Sequence, residues 1–152
     1  MRTKLFIIIS ITLLLFLITS CASTSKATSD KDESAKAFNT NIDKGIVYLY
    51  RPGRMVGAAA QTQIKINGQD AGGSGPSTYF QWELEPGTYT FSCYTSESSA
   101  VVELDVKPNK LYFLRQDTRL GISSGRVTLK EVDESTGKDA VKGYKLLVST
   151  YK

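Results

Sequence analysis

The sequence predicts an all-β fold: an antiparallel β-sandwich of about seven or eight short strands, with one short helix near the C-terminus. Three observations carry that expectation. From Lys44 onward, apolar and aromatic residues recur in short runs with a period of two. Gly, Pro and Asn punctuate those runs at fairly even intervals. No segment alternates strands with long helices, as a parallel α/β fold requires. Eight Tyr, six Phe and one Trp among 152 residues, with 41% apolar residues overall, supply enough material for a packed core.

The chain opens on a different pattern. Arg2 and Lys4 form a basic start, and residues 5–18 are aliphatic or aromatic apart from Ser10 and Thr12. At 1.5 Å of rise per residue that run makes roughly 21 Å of helix, short for a bilayer core of about 30 Å and suited to the apolar region of a signal peptide. Residues 1–20 are therefore expected to be removed. Ile18-Thr19-Ser20-Cys21 closes the run. It resembles the lipobox of bacterial lipoproteins, which implies cleavage between Ser20 and Cys21 and a diacylglyceryl group on the Cys21 thiol. The new N-terminus of such proteins is usually acylated as well, by palmitate or a similar chain. Two or three chains, at about 0.8 kcal/mol per buried CH₂, hold a protein stably in a bilayer where one does not. Ala22 follows, not Asp; in that family this favours an outer-membrane anchor facing the periplasm.

Residues 21–43 are expected to be the lipidated Cys and a flexible tether, because small, hydroxylic and mixed-charge residues dominate and Phe38 is the lone aromatic. A marginal helix over residues 32–38 gains little in isolation. The domain proper is then residues 44–152. Residues 46–51 are apolar or aromatic on both faces, as in a central strand. Residues 62–67 alternate, with Thr62, Ile64 and Ile66 on one face, and Asn67-Gly68 signals a type I′ turn into a return strand at 69–72. Residues 78–84 point Phe80, Trp82 and Leu84 inward; after the Glu85-Pro86-Gly87 turn, residues 88–94 point Tyr89, Phe91 and Cys93 inward. Residues 100–106 place Val102, Leu104 and Val106 inside, and Lys107-Pro108-Asn109 turns the chain into a strand at 111–116. A loop at 117–125 and a strand at 126–132 come next. Residues 133–143 hold the short helix, with Ser135 or Thr136 as N-cap and Gly143 as terminator, and 146–151 close the chain.

The runs Ile46-Val47-Tyr48-Leu49-Tyr50-Arg51-Pro52, Ile64-Lys65-Ile66-Asn67-Gly68, Thr78-Tyr79-Phe80 and Leu84-Glu85-Pro86-Gly87-Thr88-Tyr89 occur in that order. Together, over roughly residues 44–120, they resemble the bacterial lipoprotein β-domains of the DUF2846 family, which are PEGA-like in style. The resemblance implies a small β-sandwich on a lipid anchor. It implies no activity and no catalytic or binding residues.

Several function classes are excluded or left without support. The chain has no histidine, which removes Ser-His, Cys-His and His-zinc arrangements. Two cysteines cannot build a Cys-rich zinc site or a multi-disulfide scaffold. The formal charge of +4 loses Arg2 and Lys4 with the signal and falls to +2, too little for a nucleic-acid footprint. Gly121-Ile122-Ser123-Ser124-Gly125 fits G-x-S-x-G by letter but lacks a His base and a following helix, so it reads as a loop. Ser23–Lys26 and Ser135–Lys138 match S-x-x-K without the accompanying elements. The glycines at 72–75 precede Pro76 and no G-K-[ST], so no phosphate loop is encoded, and the calcium-loop pattern is absent. No cofactor or metal is expected, and Cys93 reads as a small buried hydrophobe.

Tyr48, Tyr50 and Arg51 are the candidate partner-binding residues, since Tyr and Arg are frequent recognition anchors and a small-residue loop at 53–60 adjoins them. The plainer account, preferred because strand aromatics are usually structural, packs the tyrosines in the sheet and pairs Arg51 with an acid. The expected protein is a non-enzymatic envelope lipoprotein, held to the lipid bilayer through Cys21, whose domain binds or scaffolds an envelope partner, either a protein or peptidoglycan. The alternative is an accessory assembly lipoprotein of a secretion or other envelope complex. An enzyme working with carboxylates alone ranks last.

Overall fold

Strand β1 (Gly45–Arg51) is buried at every residue, and the layers that bury it define the architecture. The computed structural model describes residues 24–53, 61–123 and 125–152. In chain order, helix α1 (Ser29–Lys36) precedes β1, followed by β2 (Thr62–Ile66), β3 (Gln69–Ser74), β4 (Thr78–Leu84), β5 (Gly87–Tyr94), β6 (Ser99–Val106), β7 (Leu111–Arg119) and β8 (Arg126–Val132); helix α2 (Glu134–Lys142) and β9 (Lys145–Leu146) end the chain. One sheet has the order β8-β7-β1-β4-β9 and the other β3-β2-β5-β6. The signal segment 1–20, with Ser20 and Cys21, lies outside the described residues, as does the loop at 54–60.

The alternation read from sequence puts the expected residues between the sheets. Val47, Leu49, Ile64, Ile66, Phe80, Trp82, Phe91, Leu104, Val106 and Leu114 form one core. The stack of Phe80 on Trp82, with ring centroids 5.3 Å apart, sits in it. Ile46, Tyr48, Tyr50, Tyr79 and Phe113 face the other way and form a second core with Ala35 and Val141. Helices α1 and α2 supply those last two, so the five-stranded sheet is covered on both faces. That is why β1 lacks a polar side.

The sandwich is borne out, with two pairs that depart from the antiparallel expectation. β1 pairs antiparallel with β4 but parallel with β7, and β4 pairs parallel with β9. β7 is reached from β6, in the opposite sheet, so no hairpin forces it antiparallel to its neighbour. The Glu85-Pro86 and Lys107-Pro108-Asn109 turns likewise carry the chain from one sheet to the other. The Asn67-Gly68 turn does join a hairpin, β2–β3, and both residues take positive φ, 50° and 80°.

Three boundaries move. β7 continues through Asp117 and Thr118 to Arg119, where a loop was expected, because those residues pair with Thr128, Val127 and Arg126 of β8. α2 is capped by Asp133, not by Ser135 or Thr136: its carboxylate accepts from Thr136 N at 2.9 Å and from Thr136 Oγ1 at 2.7 Å. The third correction is the largest. The segment expected to be a free tether is packed from Thr24 onward. Thr24 Oγ1 accepts from Gly73 N at 2.7 Å, Val148 N donates to Ser25 O and Ala27 N to Leu146 O, both at 2.8 Å. α1 then docks through Asp32 and Ala35, which are buried despite the polarity of the segment. Asp32 Oδ1 accepts from Tyr79 Oη and from Leu146 N, each at 2.9 Å, and Oδ2 accepts from Lys36 Nζ at 2.8 Å. Hydrogen bonds to a carboxylate do here what apolar burial does elsewhere.

Candidate functional site

The residues expected to bind a partner are inside the protein. Tyr48 is 0%, Tyr50 1% and Arg51 2% exposed. Their position on a strand covered on both faces leaves them no route to a surface partner, and this corrects the recognition reading. Tyr48 stacks on Phe113 with centroids 4.9 Å apart, donates to Ala35 O at 2.7 Å and accepts from Gln81 Nε2 at 2.9 Å. Burial pushes its hydroxyl up to about 12. Tyr50 lies against Tyr144 at 6.0 Å, and its hydroxyl is buried with no hydrogen-bond partner among the described residues.

Arg51 belongs to a polar cluster at one end of the sandwich. Its Nη1 donates to Ser74 O at 3.0 Å and reaches Thr62 Oγ1 at 3.5 Å, while Ser74 Oγ bonds to Gln116 Oε1. Desolvation lowers the guanidinium pKa. Thr62, Ser74, Gln116 and Thr118 are all buried around it. The alternation of β2 correctly turns Thr62 inward, but nothing local to the sequence brings Gln116 to Ser74 across the sheets. Cys93 is fully buried, and burial raises its thiol to about 11, the inert state expected of it.

Two of the three serine motifs resolve as structure; Ser23, which opens the remaining S-x-x-K match, lies outside the described residues. Ser123, in the glycine-flanked loop, donates its hydroxyl to Glu97 Oε2 at 3.2 Å, and the same carboxylate accepts from Ile122 N and Ser123 N. Ser135 lies in the first turn of α2. Among the described residues, no group of three or more His, Cys, Asp or Glu side chains is placed to hold a metal ion, and no helix is long and apolar enough to cross a membrane.

Among the described residues, one accessible concave surface lies along the second half of β4. A cleft of about 440 Å³ is lined by Gln81, Trp82, Glu83 and Leu84 of β4 together with Glu85, Tyr89, Ser149, Tyr151 and Lys152. β4 makes its floor because β9 pairs only with Thr78 and Tyr79. Beyond Leu147 the chain swings towards β3: Ser149 Oγ donates to Ala71 O at 2.9 Å, and Thr150 N donates to the same carbonyl at 3.2 Å. Trp82 Nε1 donates to Ser149 Oγ at 2.8 Å, which fixes the indole at the back of the cleft. Two carboxylates stand at the rim. Glu83 accepts from Asn41 Nδ2 at 3.2 Å, and Glu85 pairs with Lys44 at 3.0 Å, which raises the lysine pKa. Sequence reading turned Trp82 and Leu84 inward and Glu83 outward. The missing information was that β9 is two residues long.

Fold and site together define a two-sheet β-domain, helix-covered on one face, with an aromatic and acidic cleft beside an open strand edge. The family model described as "Protein of unknown function (DUF2846)" matches residues 41–128, and the chain belongs to that family. The match spans β1 to the start of β8, so both helices and the β9 segment lie outside it. A Haemophilus influenzae relative, described as an uncharacterized protein, is 28% identical over 148 residues, covering 96% of this chain and 87% of that one.

Proposed function

We propose that this chain is a bacterial envelope lipoprotein: anchored in the membrane through an acylated Cys21, without enzymatic activity, and serving to bind or scaffold an envelope protein or peptidoglycan through its β-domain. The observation that carries this reading is the register of basic start, apolar run and Ile18-Thr19-Ser20-Cys21. The packing of residues 24–27 adds a consequence. Two residues, Ala22 and Ser23, separate Cys21 from Thr24, and the three residue steps reach at most about 11 Å, so an acylated Cys21 holds the domain against the bilayer. The absence of histidine supports a non-catalytic role, and the cleft along β4 is the surface offered to a partner.

Substituting Cys21→Ser tests the anchor. Metabolic labelling with a fatty-acid analogue is expected to disappear, and an uncleaved precursor is expected to accumulate. A mutant that is still processed and still membrane-held refutes the reading.

A further inference from the structure

We propose that the free edge of β4 is a strand-addition site, taking an extended peptide segment of another protein that continues the line of β9 along residues 81–84. The inference deepens the binding role proposed above and rests on it, but not on acylation of Cys21.

The backbone supplies the first argument. In the β1–β4 ladder alternate residues of β4 face β1, while the carbonyls of Ser77 and Tyr79 face the opposite edge, where they accept from Lys145 N at 3.1 Å and Leu147 N at 2.8 Å. A strand repeats every two residues, so the N–H and C=O of Gln81 and Glu83 point to that same edge. No strand among the described residues pairs with them there, because the chain has left for Ala71 after Leu147. An open row of donors and acceptors is a template for another strand. Four residues of strand span about 13 Å and occupy it.

The side chains specify what that strand carries. Trp82 and Leu84 lie on the face shared with Tyr89 and Tyr151, so alternate residues of the incoming segment meet an apolar and aromatic wall. Glu83 lies on the other face, with Glu85 following it at the rim. Opposite charges placed across a strand pair attract, so the residues between are basic. The existing Lys44–Glu85 pair is exposed, with side chains 37% and 68% accessible, and offers little resistance to exchange. The occupant is thus an extended segment alternating apolar or aromatic with basic residues.

The full chain in detergent tests this. Amides of Gln81 and Glu83 are expected to exchange at least about tenfold faster than those of Phe80 and Trp82, which face β1. Protection of Gln81 and Glu83 in the free chain shows the edge already covered and overturns the proposal. A displayed library of random linear 12-residue peptides, panned on the immobilised chain, is expected to enrich alternating apolar-basic sequences that then protect both amides. Glu83→Pro deletes an edge N–H that β1 does not use, a substitution sheets tolerate at edges; it is expected to weaken the peptides about tenfold. If that variant does not fold, Glu83→Lys keeps the backbone and is expected to weaken them comparably. No enrichment, or unchanged binding by the folded variant, overturns the proposal. Loss of the lipid reading at Cys21, or discovery of a catalytic activity, counts against the proposed function and leaves these amide readouts as they are.

Discussion

Asp32→Ala lowers the stability of the domain by about 2–4 kcal/mol, the cost of deleting charged hydrogen bonds and stranding a buried donor. The size follows from what loses its partner. Leu146 N, a buried backbone donor where β9 pairs with Tyr79 of β4, loses its acceptor Asp32 Oδ1. Tyr79 Oη keeps only a longer bond to Asp32 O at 3.3 Å, and Lys36 keeps Tyr144 O at 2.7 Å. If residues 24–38 were a solvated tether, the same substitution would change stability by no more than about 0.5 kcal/mol. Urea denaturation separates the two outcomes. The pH dependence has a definite sign. Burial pushes the Asp32 carboxyl up, but hydrogen bonds from Lys36, Tyr79 and the Leu146 backbone outweigh it and hold the group below the usual aspartate value. A folded-state pKa below the unfolded one gives stability that is fully present above about pH 5 and lost as pH falls through the folded pKa. The gap between wild type and Asp32→Asn is therefore expected to be constant near neutrality and to shrink below about pH 4.

Gly137→Ala is expected to destabilise, by about 2 kcal/mol, although helix propensity alone predicts the opposite. Alanine is favoured over glycine inside a helix by about 1 kcal/mol. Here, however, a Cβ on Gly137 would fall well inside van der Waals contact with the ring and Cβ of Phe113. Phe113 cannot give way easily, since it is 1% exposed and stacked on Tyr48. Overpacking of that kind costs about 1–3 kcal/mol or more and outweighs the propensity gain. Denaturant melts of the variant read the sign directly. A stabilised variant would mean that α2 does not press on β7.

These two helices also mark where the sequence was and was not legible. Short apolar runs between turn residues located β1 through β8, β1 as a run apolar on both faces and others by period-two alternation, because each of those strands has at least one face committed to a core and the turns between them have their own chemistry. Glu85-Pro86-Gly87 and Lys107-Pro108-Asn109 announced turns but not changes of sheet, so the parallel β1–β7 pair was out of reach. α1 is legible only as a marginal helix over residues 32–38 within a free tether, and its docking was missed for a sharper reason. Hydrophobic patterning finds elements that dock by apolar area, and α1 docks by Asp32 and Ala35. Its available signals were slight: Asp32 and Lys36 at i,i+4, and Phe38 just beyond, which packs against Tyr48 at 5.5 Å. At the site, the composition of Tyr48, Tyr50 and Arg51 suggested recognition, whereas a strand apolar on both faces already implied that they were covered. The cleft needed three-dimensional facts: the brevity of β9 and the departure of the chain to Ala71.

The central claim, that this is a membrane-anchored lipoprotein with a domain folded almost directly on its anchor, has a direct test. Trypsin cleaves after Lys26, so protein extracted from membranes yields an N-terminal peptide of residues 21–26. Mass spectrometry is expected to find that peptide beginning at Cys21 and carrying a diacylglyceryl group, with acylation of the new amino terminus. A peptide in which Cys21 is a free thiol, still joined to residues upstream of it, contradicts the account.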